Sequence, residues 1–269
     1  MVKVEQYPEG QILNPAQTET MLTGDAYDII KKEDAALPPY FSCGRLIMHF
    51  KTLPPDQDRY GGSAAAIDKN LLVTAAHNFL PDYIGGKYNV SKIKADTVMF
   101  EHILIGENDR RGAYHANVSS HCYMHPKWEE NFDREYDIAL VFLSQCITMT
   151  QEEYDELLKL QVLPDSVRGD IRIVGYPETH PVMRESRGQL GDGKNSSNVI
   201  YHRSNTHGGS SGSPILKGKN GMIGVHAYGT PGNASGPNDH NSGVRIRENL
   251  LPFVEESIRI NQIALDDQG

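Results

Sequence analysis

Apolar residues in this chain gather in short β-rich runs separated by turn-forming segments, many of them marked by glycine, proline or asparagine, and few architectures tolerate that pattern. Runs at 45–50, 63–67, 71–74, 97–105 and 138–143 form a first set, separated by segments such as DRYGG (58–62) and GENDRRG (106–112). A second set follows at 171–175, 198–202, 214–216, 222–227 and 243–246. Between them lies QEEYDELLKLQ (151–161), read as a helix with Thr150 as its N-cap and acidic residues where the helix dipole favours them. Residues 249–260 carry apolar side chains at helical spacing, with Pro252 in the first turn, where its missing N–H costs little. The expectation is an all-β protein of two antiparallel barrels, a short connecting helix and a C-terminal helix.

Composition narrows the partners. Twenty-five glycines and 15 prolines among 269 residues supply the turns that many short strands need. Acidic side chains outnumber basic ones, 35 to 26, with no basic cluster interleaved with aromatics, so nucleic acid is not an expected partner. No stretch of about 18 apolar residues occurs, so no membrane span is expected. The N-terminus lacks the apolar core of a secretory signal; the chain as written is expected to be cytoplasmic or exported by another route, and secreted if it is a trimmed mature form. Cys43, Cys122 and Cys146 are far apart without a C-x-x-C pair, which suggests free thiols with at most one bridge. Sequons at Asn89, Asn117, Asn195 and Asn233 matter only in a secretory pathway. No cofactor and no metal are expected.

Three residues carry candidate chemistry. His77 in LLVTAAHNF follows an apolar strand and a pair of small residues that can present an imidazole at the strand end. Asp137 in REYDIALVFL stands immediately before a buried β-run. Ser211 in GGSSGSP has small neighbours that leave its Oγ uncovered, and the N–H groups of Gly209 and Ser211 can point at one oxygen, the geometry of an oxyanion hole. Singly, each also has an ordinary structural reading: a strand-end histidine, a strand cap, a turn. Together, in the order His, Asp, Ser, they supply a base, its orienting acid and a nucleophile.

The blocks TAAH (74–77), HPKW (125–128), DIAL (137–140) and GSSGSP (209–214) resemble the signatures of the chymotrypsin/trypsin-like serine protease superfamily. VGYPETHPVMRESRGQL (174–190) and GGSSGSPILKGKNGMIGVHAYG (208–229) are similar to its V8-like branch, the glutamyl endopeptidases, and the likeness runs from about residue 40 to 260. The resemblance implies two six-stranded barrels with the site between them, a protein or peptide substrate, and a monomer. It divides the chain into an extension or pro-segment (1–38), a first barrel with His77 and Asp137 (39–149), a helical connector (150–165), a second barrel with Ser211 and the specificity pocket (166–247), and a C-terminal helix and tail (248–269).

It also implies that Thr206 and His226 hold a substrate glutamate, with Asn205 in the same pocket and Ala227, Tyr228 and Gly229 binding extended substrate. Ser210 stands where trypsin-type enzymes carry an Asp that pairs with a new N-terminal amine, so that activation switch is not expected. Asn205 replaces the Asp that reads Lys or Arg, and His207 is a further departure that could alter the pocket.

Rival readings are a catalytically silent binding module and a G-x-S-x-G elbow formed by Gly208, Ser210 and Gly212, as in α/β-hydrolase esterases. The elbow must lead into a helix, whereas Pro214 and a strand follow here. His121 and His125 could face one metal only on a helix, which Pro126 argues against.

Overall fold

The computed structural model describes residues 27–81, 92–106, 109–177, 182–191, 197–229 and 240–266. After a two-residue strand β1 (Asp28–Ile29), a short helix α1 (Lys32–Ala35) and a 3-10 turn (Tyr40–Ser42), the chain lays down one sheet. Its strands are β2 (Cys43–His49), β3 (Arg59–Ala66), β4 (Leu71–Thr74), β5 (Thr97–His102), β6 (Gly112–Asn117), β7 (Cys122–Met124) and β8 (Ala139–Phe142), with helices α2 (Val118–His121) and α3 (Pro126–Asn131) on either side of β7. They pair antiparallel in the order β6-β5-β2-β3-β4-β8-β7.

Helix α4 (Gln151–Asp155) then leads to the second sheet: β9 (Lys159–Leu160), β10 (Asp170–Gly175), β11 (Arg184–Gln189), β12 (Val199–His202), β13 (Pro214–Lys217), β14 (Gly221–Tyr228) and β15 (Asn241–Arg245). The order is β1-β11-β10-β13-β14-β15-β12, with β9 attached in parallel to β14. Helix α5 (Leu251–Asp266) follows a 3-10 turn (Glu248–Leu250) and packs on β8 through its apolar side, burying Val254. The architecture is the expected all-β pair, with one correction. The sheets have seven and eight strands rather than six each. The surplus comes from two- and three-residue strands, β1, β7 and β9, too short to show as apolar runs.

The helix read at 151–161 is also shorter. Thr150 caps it in a full capping box with Glu153, but the helix stops at Asp155. Leu157 and Leu158 turn into the core, 3% and 1% exposed, and the chain continues as β9. Burying two adjacent leucines outweighs propagation of a short helix. Pro126 starts a helix rather than preventing one, because at the first helical position its missing N–H has no partner to lose. The two histidines nevertheless do not share a helix: His121 ends α2, β7 intervenes, and His125 caps α3 through its ring.

One core runs under the first sheet and reaches into the second, built around Trp128, Tyr176, Phe41, Phe100 and Leu46. A smaller cluster of five isoleucines, Ile171, Ile173, Ile200, Ile215 and Ile223, fills the remainder of the second sheet. Cys43 and Cys122 are buried free thiols and Cys146 an exposed one. Asn117, the one sequon asparagine among the described residues, uses its side chain to cap α2. Among the described residues no helix is long and apolar enough to cross a membrane.

His102 links this core to pH. Its Nε2–H donates to the Phe41 carbonyl at 2.5 Å, while Nδ1 has no hydrogen-bond partner. Burial holds its pKa down at about 4. Below about pH 6.5 the unfolded imidazole takes up a proton that the folded one refuses, so stability falls as pH falls. We expect His102→Gln, which keeps a donor and cannot charge, to flatten this dependence. Between pH 7 and 4.5 its unfolding free energy in urea should drop by roughly 2–3 kcal/mol less than that of the wild type.

Candidate active site

Strand β4 ends at Thr74, and the fully buried Ala75 and Ala76 let the chain turn at once into a 3-10 turn (Ala76–Asn78) that carries His77. Asp137 ends another 3-10 turn (Arg134–Tyr136), just before β8, which pairs with β4. The pairing of these strands brings the two residues together. Asp137 Oδ1 accepts the His77 backbone N–H at 2.8 Å, and Oδ2 lies 2.6 Å from His77 Nδ1. An ionised carboxylate only accepts, so Nδ1 carries the hydrogen and Nε2 is left with a lone pair. Asp137 is fully buried and His77 only 3% exposed. The rings of Tyr228 and Trp128 lie 5.6 and 6.3 Å from the imidazole.

The serine loop is fastened to the first sheet at the residue after His77. The Ser211 carbonyl accepts from the Ser63 backbone N–H at 2.8 Å and from Asn78 Nδ2 at 3.1 Å. Ser63 Oγ donates to the Gly209 carbonyl at 2.8 Å. Gly209 and Gly212 adopt φ of 97° and 89°, a region that favours glycine. Within the loop the N–H groups of Ser210, Gly212 and Ser213 are committed to the carbonyls of His207, His226 and Ser210. Ser211 Oγ lies 3.5 Å from the Ala227 carbonyl. Ser210 Oγ instead accepts the His207 N–H at 3.2 Å, inside the turn. The loop runs directly into strand β13 in an all-β fold, so the α/β-hydrolase elbow is excluded.

Beside the loop, Thr206 and His226 are fully buried and Asn205 is 4% exposed. Thr206 Oγ1 accepts from Asn241 Nδ2 at 2.8 Å, and the same amide holds the Ser204 carbonyl at 2.9 Å. That leaves the Thr206 hydroxyl hydrogen as a donor. His226 Nδ1 is 3.1 Å from His202 Nε2. Ala227, Tyr228 and Gly229 continue along and beyond β14, with the Arg134 guanidinium 4.5 Å above the Tyr228 ring. His207 is half-buried at the loop's start. Residues 230–239, which follow Gly229, lie outside the described residues.

Sequence reasoning missed Ser63, Asn78, His202 and Asn241. The glycines at 61 and 62 were a signal for the first two, because glycine inside a strand marks close backbone approach: a Cβ on Gly62 would stand 2.9 Å from Asn78 Nδ2. Nothing in one sequence marks His202 and Asn241, which face each other only through the β12–β15 register. Among the described residues no group of three or more His, Cys, Asp or Glu could hold a metal ion.

Two sheets of this topology with the site at their junction define the chymotrypsin-like two-barrel fold. The structure superposes with a TM-score of 0.69 on a Glu endopeptidase solved in complex with MPD, at 16% identity over 88% of this chain and 99% of that one. The protease Anisep from Arthrobacter nicotinovorans gives 0.54 at 19% identity, over 76% and 90% of the two chains. Residues 62–225 match the trypsin-like peptidase domain, and the chain belongs to that family. A glutamyl endopeptidase of Staphylococcus aureus (strain MW2) is 36% identical over 143 residues, 51% of this chain and 41% of the relative. That of strain MRSA252 is 36% identical over 142 residues, 51% and 37% of the two chains. The chain thus spans about two-fifths of the length of the curated relatives it matches.

Gly212 is where the loop admits no side chain. A Cβ there would collide with the Ser63 carbonyl and Thr74 Oγ1, at a φ that alanine resists. Gly212→Ala should lower the unfolding free energy by at least about 2 kcal/mol, read as a fall in Tm. An unchanged Tm would show that the loop is not clamped to Ser63.

Proposed function

We propose that this chain is a serine endopeptidase that hydrolyses peptide bonds through an acyl-enzyme and cuts after glutamate, with aspartate a weaker alternative. The observation that carries the reading is the buried His77–Asp137 pair, both carboxylate oxygens occupied, with the serine loop fastened at the neighbouring Asn78. His77 Nε2 takes the proton of Ser211 Oγ as it attacks the scissile carbonyl, and Asp137 stabilises the imidazolium that forms. The oxyanion is received by the N–H groups of Gly209 and Ser211, positioned by the positive φ of Gly209 and the hold of Ser63 on its carbonyl. His77 then protonates the leaving amine, and water, activated by the same base, releases the acid.

Glutamate specificity is supported by the pocket residues. A buried hydroxyl at Thr206 and a buried imidazole at His226 can each donate to a carboxylate. A site built from donors rejects side chains that leave them unpaired. The uncharged Asn205 offers no counter-charge to Lys or Arg. Ala227 and Gly229 would pair with the substrate main chain as an added strand, with Tyr228 and Arg134 at its flank.

Ser211→Ala should fold normally and lose at least about 10⁴-fold in kcat, and Asp137→Asn a comparable factor through the wrong imidazole tautomer. Equal peptide cleavage by wild type and Ser211→Ala would overturn the assignment. A fluorophosphonate adduct mapped by mass spectrometry should fall on Ser211; label on Ser210, or none, would point to other chemistry or a silent groove. Profiling with a peptide library should show Glu at the residue before the cut, and a preference for basic or apolar residues there would refute the specificity.

A further inference from the structure

The turn that delivers Asp137 also reaches across to the second sheet. Arg134, its first residue, is exposed and sets its guanidinium 4.5 Å from the centre of the Tyr228 ring. That ring in turn lies 5.6 Å from the His77 imidazole, tilted by 36°. Tyr228 is thus a common neighbour of a cation and of the proposed base, at the stretch of β14 where extended substrate would pair.

The turn is tied down around Arg134. Asp133 Oδ1 accepts the Glu135 N–H at 3.1 Å, and Glu135 Oε2 accepts the backbone N–H of Asn198, just before β12, at 3.1 Å. Tyr136 packs on the His125 ring at 4.4 Å. Each carboxylate flanking Arg134 therefore accepts from a backbone N–H. A guanidinium stacked on a ring engages it with its face, while its N–H donors lie in the plane and meet a carboxylate edge-on. Stacking also restricts the long side chain before a ligand arrives, which lowers the entropy cost of forming an exposed ion pair.

A peptide added as a strand presents successive side chains to opposite faces. In the reading above, the residue before the cut faces Thr206 and His226 in the second sheet. The next residue upstream faces the other way, toward the first sheet, whose His77 and Arg134 turn stand there. The fourth residue returns to that face. Acidic side chains outnumber basic ones 35 to 26 over the chain, so an acidic peptide meets an unfavourable overall field and needs a local cation.

We infer that Arg134 is a specificity-determining residue that selects an acidic side chain on the face of the substrate carrying the second and fourth residues before the cut. The inference rests on the endopeptidase reading above, not on the preference for glutamate next to the cut.

The test is a peptide series that keeps, next to the cut, the residue the wild type itself prefers and varies the positions upstream. At the second or fourth position the kcat/KM ratio for Glu over Gln should be about fivefold at low salt, the scale of one exposed ion pair, and should shrink toward one at about 0.5 M salt. Arg134→Gln should abolish the preference. Arg134→Lys, which keeps the charge and loses the planar stack, should retain part of it. Arg134→Glu should reverse it, favouring Lys over Gln, an outcome that a merely structural role would not produce. The third position, on the opposite face, should not respond to Arg134.

The same peptides titrated against Ser211→Ala chains by fluorescence anisotropy read charge selection without turnover. A ratio of one at both positions, or the same preference in the wild type and Arg134→Glu, would overturn the proposal. Charge-dependent binding without cleavage by the active chain would leave the role of Arg134 standing and remove the endopeptidase reading, and cleavage without charge selection would do the reverse. Neither binding nor cleavage would overturn both.

Discussion

Ser63 is the residue on which the junction of the two sheets depends. All its polar groups are used: the N–H on the Ser211 carbonyl, the carbonyl for Thr74 Oγ1, and the hydroxyl between the Gly209 carbonyl and the Tyr176 N–H. It is 1% exposed, so each bond is made without competition from water. A buried polar group that loses its partner costs about 1–3 kcal/mol, and here several partners would be orphaned together. The approach is possible because the surrounding positions are small. A Cβ at Gly175 would meet Ser213 Oγ and Ser63 Oγ, and one at Gly212 would meet the Ser63 carbonyl. His77 and Ser211 come from opposite sheets, and this clasp, together with Asn78 Nδ2 on the Ser211 carbonyl, ties the one to the other.

Charge is handled differently in the frame and in the pocket. Glu101 and Glu185, 2% and 1% exposed, are each bracketed by arginines: Arg45 and Arg110 hold the first, Arg172 and Arg187 the second, with Tyr40 donating to Glu185. Buried carboxylates survive there because full-strength cations compensate them. Asp137 instead relies on the two N–H groups of His77. Among the described residues the ion-pair partner it has is the His77 ring, not an arginine or lysine. The frame's ion pairs are supports of fixed charge, whereas the role proposed for His77, taking and giving back a proton at Nε2, calls for a partner of Asp137 that is not permanently charged.

Much of this was legible in the sequence because the informative residues are local. Runs such as 71–74 and 222–227 became strands, the small residues around Ser211 became a tight positive-φ loop, and His77 and Asp137 arrived at adjacent strand ends. Illegible were the strands with polar sequence. Segment 184–189, RESRGQ, forms a six-residue strand because Glu185 finds its arginines only in three dimensions. The 112–117 strand was likewise hidden, since Gly, His and Asn break its apolar alternation. His202 and Asn241 acquire meaning only through register, and register is a property of the pairing, not of either segment.

Strand β14 shows how one irregularity serves both sides of the site. Its pairing with β15 runs in step to His226, opposite Gly243, then slips so that Tyr228 faces Ser242 and Ala227 is the extra residue. A bulge bends the strand and re-aims the side chains around it. Here it lies at the one stretch that must face three ways. His226 turns inward to His202, the Ala227 carbonyl comes to 3.5 Å from Ser211 Oγ, and the Tyr228 ring reaches 5.6 Å from His77. A regular strand alternates between two faces and would set His226 and Tyr228 on the same one. The irregular pairing is therefore what allows a single strand to support the proposed specificity pocket and the histidine at once.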